Sequence, residues 1–173
     1  NNIEFYGRGG NDIYINASSI PSKAWGYEGD DILIGGTSAD LLHGGSGNDA
    51  IDGRDGTDFL EGDTGNDQIK GGAGADTLRG WTGDDRLEAG DGDDYVLAGD
   101  GNDVVLGGNG NDQLQGEGGI DVVAGESGAD NIQGGFGTDL LLGGTGDDLM
   151  FGQDGIDFIF GQDGNDRLVG GDG

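Results

Sequence analysis

The chain has 173 residues, of which 44 are Gly, and its 35 Asp and Glu outnumber 7 Lys and Arg, for a formal net charge of −28. Of the acids 29 are Asp and 6 are Glu, so the excess belongs to one residue type rather than to negative charge in general. So much Gly and so little large apolar side chain excludes an ordinary globular core. The lack of Cys excludes disulfides and thiolate metal sites. No apolar run exceeds four residues, which excludes a membrane-spanning helix, direct membrane insertion and a signal-peptide core within these residues. The charge speaks against nucleic acid and anionic membrane as partners and in favour of cations.

In chain order, Asn1 to Tyr6 reads as the strand half of a repeat, and Gly7 to Ile15 as a full nine-residue unit with Asp12 in its sixth place. Asn16 to Trp25 reads as a degenerate repeat one residue longer, with Pro21, the only proline, in an irregular loop. Its Asn16-Ala17-Ser18 triplet matches an N-glycosylation acceptor but is not read as one. From Gly26 to Val169 the chain runs as 16 consecutive nonads without insertion or deletion. The organisation is therefore a start with one degenerate repeat over 1–25 and a continuous array over 26–173. Gly170-Gly171-Asp172-Gly173 opens a further unit, an end that suits either a segment of a longer protein or end-to-end stacking.

Within the 16 nonads the sixth place is always Asp and the eighth always apolar, from Leu33 to Leu168. The fourth is Gly except at Ser38, and the first is Gly except at Ala89 and Ala98. The second is looser, with Gly in only half the repeats. Glycines in the first six places permit a tight turn. The last three places predict a short strand whose middle residue is buried while its neighbours face outward. Such a strand is stable only when stacked on copies of itself. Two strands facing across a thin core need two nonads per coil, and successive coils stack about 4.8 Å apart.

This pattern resembles the RTX nonapeptide, Gly-Gly-x-Gly-x-Asp-x-apolar-x, of secreted bacterial proteins. The resemblance covers the 16 nonads and the Gly7–Ile15 unit. It implies an all-β fold, the right-handed parallel β-roll, with calcium held between stacked turns and a bacterial, extracellular location.

Aspartates two nonads apart come into vertical register. Two carboxylates about 4.8 Å apart repel by about 0.9 kcal/mol in water and about 3.5 kcal/mol at an effective dielectric of 20. A cation must offset this. The candidate ligands are Asp12, Asp31, Asp40, Asp49, Asp58, Asp67, Asp76, Asp85, Asp94, Asp103, Asp112, Asp121, Asp130, Asp139, Asp148, Asp157 and Asp166. Calcium takes six to eight oxygens and can share two carboxylates across one gap, whereas zinc prefers Cys and His. Counting gaps between stacked turns predicts about 15 Ca²⁺ ions, whose charge nearly cancels the −28.

No catalytic constellation is present, so the chain does not read as an enzyme. Its one His, His43, lies in a ninth, outward place and reads as a solvated surface residue. Trp25 and Trp81 carry no evident role. On one sheet the outward residues Val104, Leu106, Val122, Ala124, Leu140, Leu142, Phe158 and Phe160 form four adjacent apolar rungs. That face reads as a packing surface for flanking domains or further copies of the chain. Two functions follow: a calcium-dependent folding, secretion or spacer module of a larger secreted protein, or a structural element of an extracellular filament, surface layer or adhesin.

Overall fold

The computed structural model describes residues 2–173, so Asn1 lies outside the described residues. The chain winds as a parallel β-solenoid, with no helix among those residues. Alternate strands collect in two sheets. One has ten strands, from Ile3–Gly9 to Arg167–Asp172; the other has nine, from Ile13–Ile15 to Phe158–Asp163. Each strand pairs in parallel with the strands one coil before and after it. Val104, for instance, lies beside Arg86 on one side and Val122 on the other, two nonads away in each direction.

The degenerate segment keeps this phase. Ile13 pairs with Ile32, so the extra residue is absorbed between them, and Ala24 aligns with Leu42 as an eighth-place residue. Asn16, the first residue of the segment's loop, is buried and its side chain bonds within the loop.

The strands are longer than expected. Most have six residues, such as Ala50–Asp55, and run from the seventh place of one nonad to the third of the next. The first three places of a nonad are not turn but strand, because they continue the ladder: Gly90 pairs with Gly108 and Asp91 with Asn109. Only places four to six bend the chain. Three inward positions result, the sixth, the eighth and the first of the next nonad, alternating along one strand face. The eighth-place residues from Leu33 to Met150 are at most 2% exposed and form a one-side-chain-thick core. Fully burying each contributes roughly 1.5–3 kcal/mol. Near the N-terminal end Phe5 and Tyr14 stack with ring centroids 5.1 Å apart.

Backbone angles explain why the two glycine positions differ in tolerance. Except at Gly36, second-place glycines have φ from +106° to +121°, while the non-glycine residues there, among them Tyr27, Trp81 and Glu126, sit at +72° to +85°. A backbone rotation of a few tens of degrees thus reaches the left-handed well that a side chain accepts at moderate cost. Fourth-place glycines reach φ +158°, and a Cβ at Gly65 would run into the carbonyl oxygen of Gly47 in the preceding coil. No side chain has room at Gly65.

Candidate metal centre

The sixth-place Asp immediately precedes each strand and points into the roll. From Asp31 to Asp148 these residues are at most 4% exposed. They form two columns, one per edge of the solenoid. In each, Oδ1 accepts the backbone N–H of the Asp one coil earlier: Asp31 N–H donates to Asp49 at 2.7 Å, Asp85 N–H to Asp103 at 2.8 Å and Asp112 N–H to Asp130 at 2.8 Å. The first column runs from Asp12 to Asp157 and the second from Asp40 to Asp166. All of the candidate aspartates therefore lie in the two columns.

The second carboxylate oxygen is the unusual feature. Oδ2 is buried without any donor in fifteen of these residues: Asp12, Asp31, Asp49, Asp58, Asp67, Asp76, Asp85, Asp94, Asp103, Asp112, Asp121, Asp130, Asp139, Asp148 and Asp157. Asp40 differs, since both its oxygens are engaged. Except in Asp94 and Asp103, each free oxygen faces the inside of its turn where the first residue of the nonad is Gly and carries no side chain. A methyl group on Gly107 would lie 2.5 Å from Asp112 Oδ2 and 2.7 Å from the carbonyl oxygen of Gly125, one coil further on. Carboxylate and main-chain oxygens thus converge on the same cramped space. At Ala89 and Ala98 a buried methyl group stands at this inward place.

Burial dominates the electrostatics. It pushes the carboxyls of Asp58, Asp67, Asp85, Asp112 and Asp121 up to about 7 against the lowering effect of the N–H bond each receives. Asp49, Asp94, Asp103 and Asp130 rise for the same reason to about 6. Charges on neighbouring aspartates add to the rise at most of these positions.

Among the described residues no three acidic or histidine side chains are grouped so that they could hold a metal ion by themselves. The carboxylates are strung one per coil, so an ion held there must complete its shell with main-chain carbonyls. A buried carboxylate oxygen without a donor, beside carbonyl oxygens and away from nitrogen or sulfur ligands, fits a hard divalent cation of the calcium type.

A second ladder escaped the sequence reading. Fifth-place Asn and Asp side chains accept the backbone N–H of the fifth residue one coil later: Asn48 Oδ1 from Asn66, Asn66 Oδ1 from Asp84, and Asp84 Oδ1 from Asn102. The polarity is opposite to that of the sixth place, so each turn is fastened in both directions. The bonds from the Asn111 N–H and side-chain amide hold Asp93 below the ordinary carboxylate range. The signal was present as Asn and Asp recurring in every second nonad, but these residues look like generic turn formers. On the column of Asn48 the ladder ends at the well-exposed Ile120, whose N–H still donates to Asn102, whereas on the other column Asp147 accepts from Asn165.

His43 is not a solvated residue. It is half-buried, with Nε2 2.6 Å from Asp63 Oδ2 and Nδ1 3.3 Å from Glu61 Oε2, both on the next coil. In-register stacking places a ninth-place side chain beside those of the following rung, so outward does not mean isolated. Trp25 likewise stacks on Tyr6, with centroids 4.9 Å apart and planes 3° apart.

A parallel solenoid of two facing sheets, its turns lined by columns of buried carboxylates, belongs to the class of parallel β-rolls. The family model for the RTX calcium-binding nonapeptide repeat matches residues 25–60, 52–87, 82–114, 115–150 and 142–173. The chain belongs to this family, whose repeats bind calcium and occur in secreted bacterial proteins. No curated protein matches the chain.

Proposed function

We propose that this chain is an extracellular calcium-dependent folding module, with the fifteen sixth-place aspartates whose Oδ2 lacks a donor as the ligands. The observation that carries this reading is the row of fifteen buried Oδ2 atoms without a donor. An ionised carboxylate in such a place is strongly disfavoured unless a cation balances it. One ion per unpartnered oxygen gives fifteen Ca²⁺, whose charge offsets the whole −28 of the chain and slightly exceeds it. At low calcium the columns repel and the thin core does not hold the coils together; at the millimolar calcium outside a cell they close. A chain kept unfolded inside and folded outside suits export as part of a larger secreted protein. The test is far-UV circular dichroism in chelator and in rising calcium. A coil signal converting cooperatively to β, with Mg²⁺ ineffective at equal concentration, is expected. A β spectrum persisting in excess chelator at neutral pH overturns the proposal.

A structural role through self-association is the second reading. The rungs Val104, Val122, Leu140 and Phe158 align in register, as do Leu106, Ala124, Leu142 and Phe160. Phe158 and Phe160 are 56% and 52% exposed. Below them the same face turns polar, with Lys70 and Arg86 paired to Glu88. An apolar β surface that ends in two exposed Phe side chains favours contact with another copy or a flanking domain.

A further inference from the structure

The turn Gly35–Asp40 departs from every other regular turn. Its fourth place holds Ser38 instead of Gly, and Gly36 alone among second-place residues of the nonads lacks a positive φ. The altered path aims the Gly36 N–H at Asp40 Oδ2, 2.6 Å away. Asp40 Oδ1 accepts the Ser22 N–H at 2.5 Å and the Ser22 hydroxyl at 2.8 Å. Three protein donors therefore satisfy a carboxylate that is 4% exposed.

The segment stacked on this turn is also fastened by protein alone. Ser22 takes the sixth place there, so it brings no carboxylate. Asn16 Oδ1 accepts the Ser18 N–H and hydroxyl at 3.0 and 2.7 Å, and Asn16 Nδ2 donates to the Ile20 carbonyl at 2.8 Å. Between the two turns the Ser38 hydroxyl donates to the Ser19 carbonyl at 2.8 Å and the Thr37 N–H to the Ser18 carbonyl at 3.2 Å.

We propose that Asp40 is not a calcium ligand and that Asn16–Ser22 with Gly35–Asp40 forms a calcium-free clamp at this edge of the roll. N–H and O–H donors supply at Asp40 the positive partner that the other columns draw from an ion. The ion ladder of the second column accordingly begins at Asp58, whose Oδ2 is the first there without a donor. The inference rests on the reading that the donor-free carboxylates hold calcium.

The test counts bound Ca²⁺ by native mass spectrometry in the whole chain, in Asp40→Asn and in Asp58→Asn, with circular dichroism confirming the fold. Asp40→Asn should keep the wild-type count, whereas Asp58→Asn should lose at least one ion. Equal losses in two folded variants overturn the proposal. If Asp40→Asn does not fold, carbon-13 shifts of the Asp side-chain carboxyls in the wild-type chain decide it when Ca²⁺ is exchanged for Sr²⁺. The Asp58 carboxyl should move and the Asp40 carboxyl stay; comparable movement of both overturns the proposal. A wild-type chain that binds no calcium at all overturns the calcium reading itself, a result distinct from equal losses.

Discussion

The backbone N–H of Asp85 donates to Oδ1 of Asp103, 2.8 Å away and one coil further along the roll. Repeated down both edges, this bond has two effects. It satisfies a buried amide that has no main-chain carbonyl opposite it. It also uses one oxygen of each of these carboxylates for structure and, in fifteen of them, leaves the other buried without a donor. On the proposed calcium reading, folding and ligation are coupled in one side chain, and removing it disturbs the coil on either side.

That coupling predicts a position-dependent calcium response. Asp103→Ala strips the acceptor from the fully buried Asp85 N–H, at about 1–3 kcal/mol, and removes an oxygen from the middle of a column. Asp166→Ala acts at the end of a column, where the bond from Asp148 is only partly buried. The calcium midpoint of folding should rise more for Asp103→Ala, as read by circular dichroism. Equal shifts would mean that the sites act independently.

Acid should substitute in part for calcium. Asp58, Asp67, Asp85, Asp112 and Asp121 sit near 7 in the folded roll against 3.8 for an ordinary Asp carboxyl, so the folded state binds more protons between those limits. Their protonation stabilises the fold fully below pH 3.8, and this contribution is lost as pH rises through about 7. In chelator, the β signal should therefore grow as pH falls from 7.5 toward 4.5. A coil at every pH in that range would contradict the burial of these carboxyls.

Replacing Asp67, Asp85 and Asp103 together by Asn keeps the Oδ1 acceptor and removes three buried charges. At Asp85 the Ala98 carbonyl oxygen borders the same space and offers the new Nδ2 an acceptor. The triple variant should show more β structure than wild type in chelator at neutral pH, yet bind fewer ions by calorimetry. Loss of the fold with or without calcium would show that the free oxygens serve packing rather than ligation.

The two glycine positions should respond differently. Gly65→Ala forces a Cβ onto the Gly47 carbonyl at φ +128° and should cost about 3 kcal/mol or more. Gly45→Asn also brings a Cβ toward a carbonyl oxygen, that of Tyr27, but Tyr27 and Asp63 on the same column carry side chains at φ +79° and +81°, so a shift of the backbone from +116° should accommodate it at about 1 kcal/mol. Thermal unfolding in saturating calcium separates them.

Self-association through the apolar rungs should depend on calcium, because the ions cancel the charge that keeps chains apart. Leu142→Lys with Phe160→Lys should abolish any calcium-dependent increase in mass seen by light scattering while leaving the circular dichroism spectrum unchanged. A wild-type chain that stays monomeric with calcium at high concentration would remove the self-association reading.

Periodicity alone dictated the repeat, the coil of two nonads, the inward direction of the eighth place and the alignment of Asp12 to Asp166 in columns. These follow from periodicity, since a strict period of nine in an alternating strand leaves one way to bury an apolar residue. Only the tertiary structure decided what each polar atom meets. The bond from each Asp N–H to the next carboxylate, the opposed fifth-place ladder, the pairing of His43 with Asp63 and the closed donor set of Asp40 all join atoms whose meeting no spacing announces. Their partners depend on which way a peptide group faces within a turn. That direction is set by φ and by the coil stacked above, and at Gly36 it differs although the residue is the same glycine found in half of the repeats.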